Sequence, residues 1–148
     1  MRVLEGLSQE EIKIVLESYR TVAVVGLSRD PAKASHQVAQ YLQSVGYHII
    51  PVNPFVDEVL GETSYNSLLD VPKTIDVVDI FRPSEAVPAI VEEAIQLKAR
   101  VGSPKVMWMQ LGIVNEEAAR RAKDAGFTVV MDRCMMMEHK RLSKERAL

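Results

Sequence analysis

Only one cysteine is present in this 148-residue chain, so no disulfide can form within it. No stretch approaches the roughly 18 uncharged apolar residues that a membrane-spanning helix requires. The start of the chain lacks the pattern of a secretory signal peptide, because acidic Glu5 follows almost at once. With a net charge of −2, the chain also lacks the basic excess of a general nucleic-acid surface. We therefore expect one soluble, cytoplasmic domain over residues 1–148, with no membrane and no nucleic-acid partner.

Short apolar segments rich in β-branched residues alternate with segments of helical periodicity. The apolar segments show no polar alternation, which is typical of strands buried on both faces of a parallel sheet. They are 21–26, 47–52, 75–81, 105–109 and 127–131. The pattern predicts an α/β domain with a doubly wound, Rossmann-like parallel sheet of five or six strands and helices on both faces.

The helical segments have recognisable starts. Ser8 and Glu11 have the spacing of a capping box, which predicts an N-terminal helix within residues 1–20. Further helices are expected over 35–45, from Pro83 onwards, from Asn115 to Gly126, and in a C-terminal helix or tail over 133–148, helical from about Glu138. Two short elements are expected between the second and third strands, a strand or turn over 55–61 and a short helix over 64–70.

The loop after the first strand has the composition of a phosphate-binding loop. Gly26 allows the backbone to turn sharply and a ligand to approach closely. Hydroxyl and amide donors follow from Ser28, Ser35 and the start of the next helix, and positive charge comes from Arg29, Lys33 and His36. Each residue alone is equally typical of an ordinary turn or a solvated surface. The whole loop, placed directly after a buried strand, favours phosphate binding.

A nicotinamide-dinucleotide fingerprint is missing from this loop. That fingerprint reads G-x-G-x-x-G, with an acidic residue after the second strand to bind the ribose. Here position 28 is Ser, position 31 is Pro, and the second strand ends at Asn53. A carboxylate at that point would repel a ribose that carries a 3′-phosphate, whereas a neutral amide tolerates it. The loop therefore suits a phosphorylated adenine nucleotide other than ordinary NAD.

Five blocks of the chain resemble the CoA-binding domain family. These blocks are 24–35, 50–54, 79–84, 106–113 and 132–135, in the family's order, and the resemblance covers about residues 10 to 143. The family consists of proteins similar to the N-terminal CoA-binding domain of the succinyl-CoA synthetase α subunit. The resemblance implies the same fold and coenzyme A as the ligand.

The resemblance also implies where the ligand lies. Gly26, Leu27, Ser28 and Arg29 would surround the diphosphate, with Lys33 and Ser35 completing the loop. Asn53 and Pro54 would border the ribose or adenine, and Phe81, Arg82 and Pro83 would line the path of the adenine and pantetheine. One position departs from the pattern, because Phe55 and Val56 follow Pro54 where the synthetase domain has a lysine.

These observations predict non-catalytic binding of coenzyme A or an acyl-CoA, with a role as a carrier or regulator. The expected protein partner is an acyl-CoA enzyme or, in a homo-oligomer, another copy of the same chain. No base, orienting carboxylate and nucleophile are arranged for turnover, so we predict no catalytic residues. Three alternatives stay open: a subunit of an acyl-CoA ligase, a small NAD(P)-dependent oxidoreductase, and a scaffold that keeps only the fold.

Cys134 admits two interpretations. It follows the fifth strand beside Arg133, which favours the thiolate and would permit a mixed disulfide with the thiol of coenzyme A. It also stands before Met135, Met136 and Met137, where a small buried apolar residue is the simpler interpretation. Asp132, Cys134 and His139 have no spacing typical of metal ligands, so we predict no metal site.

Overall fold

Five parallel strands form the central sheet of the protein. The structure is a computed structural model and describes residues 6–146, so the parts of the expected terminal elements that fall on 1–5 and 147–148 lie outside it. In chain order the elements are α1 Gln9–Ser18, β1 Thr21–Val25, α2 Ala34–Ser44, β2 His48–Val52, β3 Glu58–Val59, β4 Glu62–Thr63, β5 Val77–Ile80, α3 Val87–Val101, β6 Val106–Met109, α4 Glu116–Asp124, β7 Thr128–Val130 and α5 Met135–Arg146.

The strand order of the sheet is β2-β1-β5-β6-β7, and all four pairings are parallel. The chain therefore first moves to one side of β1 and then returns to add strands on its other side. This reversal creates a switch point between β1 and β5, as in doubly wound nucleotide-binding folds. The α/β doubly wound fold expected from the apolar segments is confirmed, with five strands in the sheet.

Two layers of helices cover the sheet. The side chains of α1, α2 and α5 pack on one face, against residues such as Val24 and Trp108. The side chains of α3 and α4 pack on the other face, against residues such as Val25 and Met107. The capping box at Ser8 and Glu11 is present as expected. None of the helices within residues 6–146 combines the length and apolar character needed to cross a membrane.

Several boundaries differ from the expected ones. The helix expected over 64–70 is only a 3-10 turn, Leu68–Asp70, and the segment 55–61 contributes to the β3–β4 hairpin. Pro83 does not open α3 but precedes a 3-10 turn, Ser84–Ala86. The final helix begins at Met135, three residues before Glu138. The amide of Met135 donates to the side-chain oxygen of Gln110 at 3.0 Å, so the first helical N–H has a partner at this earlier start.

The ends of β1 and β5 lie unusually close together at Gly26. The φ angle of Gly26 is +88°, and a Cβ atom added there would lie 2.7 Å from the carbonyl oxygen of Phe81 and 3.0 Å from Cδ of Arg82. Only glycine satisfies both conditions without movement of the backbone. The glycine is thus required by the packing of two strand ends, in addition to any role in ligand approach.

Asp79 is a carboxylic acid inside the sheet. It lies in β5 between Val24 and Trp108, has no solvent exposure, and neither side-chain oxygen has a hydrogen-bond partner within residues 6–146. Desolvation raises its pKa well above the usual aspartate value. Burial therefore favours the uncharged acid, which is the less costly form in an apolar layer.

We expect Gly26→Ala to lower the free energy of unfolding by more than Gly102→Ala does. A left-handed backbone costs an alanine about 1–2 kcal/mol at either position. Gly102 has a φ of +79° with nothing within 4 Å of its added Cβ, so only Gly26→Ala must also displace the Phe81 carbonyl. Urea denaturation of the two variants measures the difference, and equal losses would contradict the close packing.

We expect Asp79→Asn to remove a dependence of stability on pH. The pKa of Asp79 is higher in the folded state than in the unfolded state, so the folded state holds more protons at pH values between the two. The wild-type free energy of unfolding therefore falls as the pH rises through this range. The slope can reach about 1.4 kcal/mol per pH unit for one proton. Urea titrations at several pH values should show a flatter profile for Asp79→Asn, whereas exposed Asp57→Asn should parallel the wild type. Parallel curves for all three proteins would contradict this assignment.

Candidate functional site

A cleft of about 310 Å³ opens at the switch point of the sheet. Its floor is formed by the carboxyl ends of β1 and β2, and Arg82, which follows β5, lines one side. The first residues of α3 and the segment before the Leu68–Asp70 turn complete the walls. Ligands of doubly wound sheets bind at this place, outside the carboxyl ends of the strands.

The loop from 26 to 36 is held by its own polar groups. The Ser28 amide donates to Oγ of Ser35 at 2.9 Å, and the Asp30 amide donates to Oγ of Ser28 at 3.0 Å. Nδ1 of His36 lies 2.9 Å from the carbonyl oxygen of Ser28. Since a carbonyl can only accept, Nδ1 of His36 carries the proton. The loop is therefore shaped before any ligand arrives.

Free backbone N–H donors are present at the N-terminus of α2, which follows this loop. Lys33 is the N-cap residue and makes no side-chain capping bond, and the first turn contains no acidic residue. The amides of Ala34 and Ser35 have no acceptor among the described residues. Arg29 and Lys33 are both exposed beside them. Free amides, the helix dipole and two cations together favour an anion at this position.

Asn53 connects the end of β2 to the same loop. Its Nδ2 donates to the carbonyl oxygen of Leu27 at 2.9 Å, and its Oδ1 accepts from the amide of Phe55 at 2.9 Å. One N–H and one lone pair of the side chain remain available. The side chain of Asn53 thus holds the loop in place. It also carries no charge at the point where a nicotinamide-dinucleotide site has an acid.

The structure separates the twelve residues singled out from the sequence into three groups. Gly26, Asn53, Pro54 and Arg82 line the cleft. The adjoining loop contains Ser28, Arg29, Lys33, Ser35 and His36. The remaining three do not line the cleft. The side chain of Leu27 is fully buried, so only its backbone can reach a ligand; Phe81 packs against the α2 and α5 layer, and Pro83 precedes the Ser84–Ala86 turn.

Other lining residues come from parts of the chain that sequence reasoning left aside. Tyr65 forms a bridge with Val52 at the outer edge of β2, which brings Asn66 and Ser67 to the cleft. Ala86, Ala89 and Glu93 line it from α3 and the turn before it. These three residues are spaced so that they share one side of a helix, and two of them have small side chains. This pattern could have predicted a cleft wall from the sequence.

At the other end of the same sheet edge, after β6 and β7, side chains make hydrogen bonds to the neighbouring backbone. Nε1 of Trp108 donates to the carbonyl oxygen of Arg133 at 2.8 Å, and Oδ1 of Asp132 accepts from the amide of Gly112 at 2.7 Å. Cys134 is buried beside them in the layer of α1, α2 and α5. Within residues 6–146, no three side chains of the metal-ligating types come together.

A second groove, of about 330 Å³, runs along the free edge of β7 between the start of α1 and α4. It is slightly larger than the cleft at the switch point. It contains none of the loop residues described above, and β7 is the one strand that lines it. We therefore assign the candidate site to the switch-point cleft on the basis of topology and not of volume.

Comparison with known proteins identifies the family of the chain. Residues 20–140 match the model of the family described as CoA binding domain. An uncharacterized protein of Bacillus subtilis, YneT, is 43% identical over 92% of this chain and 97% of its own length. A hypothetical protein from Pyrococcus horikoshii has a similar solved structure, with a TM-score of 0.87 and 39% identity over 97% of this chain and 99% of its own.

A ligase gives a partial match. An ADP-forming acetate–CoA ligase of Methanocaldococcus jannaschii is 35% identical over half of this chain, a match that spans only 10% of the ligase. The matching region is thus one part of a much longer chain in that protein. Together with the fold and the family match over residues 20–140, these findings show that the chain belongs to the CoA-binding domain family.

Proposed function

We propose that this protein binds coenzyme A or an acyl-CoA without transforming it, as a carrier or regulator for an acyl-CoA enzyme. The nucleotide occupies the switch-point cleft, and the diphosphate lies at the loop from 26 to 36. The observation that carries the proposal is the uncapped start of α2, which the chain reaches through the loop that leaves the cleft of about 310 Å³ at Gly26. Family membership supports the choice of coenzyme A over other nucleotides.

The distribution of charge supports the same ligand. Arg29 and Lys33 are exposed on the loop, and Arg82 lines the cleft next to Gly26. Cations of this kind form charge-assisted hydrogen bonds with phosphate oxygens. Asn53 adds no negative charge at the end of β2, where a nicotinamide-dinucleotide site has an acid.

The histidines support binding without turnover. His36 is engaged with the Ser28 carbonyl inside the loop. Nε2 of His48 lies 3.6 Å from Glu62 at the outer edge of the sheet, and Nδ1 of His139 is 2.7 Å from the hydroxyl of Tyr41 between helices. None of the three is paired with a nucleophile at the cleft, which a covalent or general-base mechanism would need.

A second candidate is a role as one chain of an acyl-CoA ligase. The partial match to an acetate–CoA ligase favours it, because a domain of this kind is built into that longer enzyme. In such an assembly, the catalytic groups would come from a partner chain, and the present chain would still hold the coenzyme.

Isothermal titration calorimetry tests the proposal. We expect coenzyme A to bind more tightly than NAD or FAD, because the neutral Asn53 tolerates a 3′-phosphate and takes the place of the acid that binds the ribose in a nicotinamide-dinucleotide site. The same protein incubated with acetate, ATP and coenzyme A should form no acetyl-CoA. Absence of coenzyme A binding or tighter NAD binding would reject the proposal, and formation of acetyl-CoA by this chain alone would reject binding without turnover.

Asn53→Asp should weaken coenzyme A binding more than dephospho-CoA binding. Both ligands lose the brace to Leu27, because a carboxylate cannot donate to that carbonyl. Only coenzyme A also meets repulsion between the new charge and its 3′-phosphate, which should cost about tenfold or more in affinity at low salt. Calorimetry with both ligands gives the ratio. Gln9→Glu adds the same charge on α1 and should leave the ratio unchanged, so a shift in both variants would count against a local effect.

A further inference from the structure

The two outer strands of the sheet differ in how their free edges are covered. The edge of β2 is partly closed by the chain itself, because the amide of Tyr65 donates to the carbonyl oxygen of Pro51 at 3.1 Å and the amide of Asn53 donates to that of Tyr65 at 2.9 Å. At the opposite edge, β7 pairs with β6 and with no other strand of residues 6–146. An uncovered strand edge is a template for pairing with another extended chain.

The backbone groups at the edge of β7 follow from its parallel pairing with β6. The amide of Thr128 donates to the carbonyl oxygen of Lys105 at 3.0 Å, so the backbone of Thr128 faces β6. Because these groups alternate in direction along a strand, the N–H and C=O of Val129 face away from β6. The amide of Met131 has no acceptor among the described residues. The edge therefore offers donors at Val129 and Met131 and an acceptor at Val129 to an additional strand.

The groove of about 330 Å³ at this edge, here called the β7 groove, has two different walls. The wall at α1 contains the apolar residues Leu7 and Ile12 together with Glu11. The wall at α4 contains Ala119 and Lys123. The two helices cover opposite faces of the sheet. Side chains of a strand alternate between the two faces, so a strand in the groove would direct every second side chain to each wall.

The charges of the two walls are opposite. Hydrogen bonds from Ser8 lower the pKa of Glu11, and the charge of Lys123 lowers it further, so the wall at α1 carries a carboxylate at neutral pH. Lys123 is exposed and forms no salt bridge within the part of the chain that the structure describes. An acidic side chain would therefore be repelled from the wall at α1 and attracted to the wall at α4.

We infer that the β7 groove binds an extended segment of a partner protein, which adds a strand to the sheet and alternates acidic with apolar side chains. The acidic side chains lie toward Lys123, and the apolar ones lie against Leu7 and Ile12. Backbone hydrogen bonds give affinity to this kind of recognition, and the alternate side chains give specificity. The groove shares no lining residue with the switch-point cleft, so its occupant can be tested without coenzyme A.

Calorimetry with two blocked peptides tests the charge preference, one alternating valine with glutamate and the other valine with lysine. The wild type should bind the glutamate peptide about fivefold more tightly, which is the effect expected of one exposed ion pair. Lys123→Glu should reverse this order. Lys73→Glu makes the same change at an exposed position outside the groove and should keep the wild-type order. No binding of the glutamate peptide to the wild type, or an unchanged order in Lys123→Glu, would overturn the assignment.

Methylated peptides test the strand pairing without any change to the protein. Methyl groups on every second backbone nitrogen of the glutamate peptide remove the donors along one edge of its strand. Because only one alternate set of nitrogens faces β7, methylation of one set should abolish binding and methylation of the other should preserve it. Equal effects of the two sets would reject strand addition.

The same titrations separate a partner segment from the chain itself. The full-length protein should be monomeric in analytical ultracentrifugation and should bind the glutamate peptide as tightly as a variant that lacks residues 1–5. If only the shortened variant binds, or if the peptide dissociates a dimer of the protein, the groove belongs to the chain itself and a partner segment is rejected.

Discussion

The parallel pairing of β1 with a neighbour on each side is the constraint on which the rest of the structure depends. Because β2, β1 and β5 run in one direction, their three loops leave the sheet at the same edge. The pairing continues one residue past the strands, as the Gly26 amide donates to Val52 and the Phe81 amide donates to Val25, each at 2.9 Å. The candidate phosphate loop is therefore attached directly to an interior strand of the sheet.

The candidate phosphate loop is a rigid feature and not a free segment. Ser28, Asp30 and Ser35 satisfy one another, and Asn53 ties Leu27 to the next strand. A loop whose polar groups are already bonded loses little conformational entropy when it meets a ligand. Free amide donors remain at the start of α2. The proposed selectivity for an anion at this point thus follows from how the loop is folded.

How far the sequence predicts this protein depends on the range of the interactions involved. The strands and the order of elements follow from local apolar runs, and the loop after β1 follows from its own residue types. The early start of α5 depends on Gln110, 25 residues away from Met135, which no local pattern reveals. The cleft walls from Asn66 and Glu93 depend on how the crossover after β2 returns along the sheet and on the orientation of α3. The residue types of the candidate loop can be read from the sequence, whereas the surfaces that face this loop depend on the tertiary fold.

The single indole of the chain is a natural optical probe of the sheet edge. Trp108 is fully buried, and its Nε1 is bonded to the backbone at Arg133, where the last strand passes into α5. Its emission therefore arises from one apolar, hydrogen-bonded environment. Any rearrangement that opens the junction between β7 and α5 exposes the ring to water and shifts that emission to longer wavelength. The protein thus carries its own spectroscopic label at the end of the ligand edge opposite to the candidate phosphate loop.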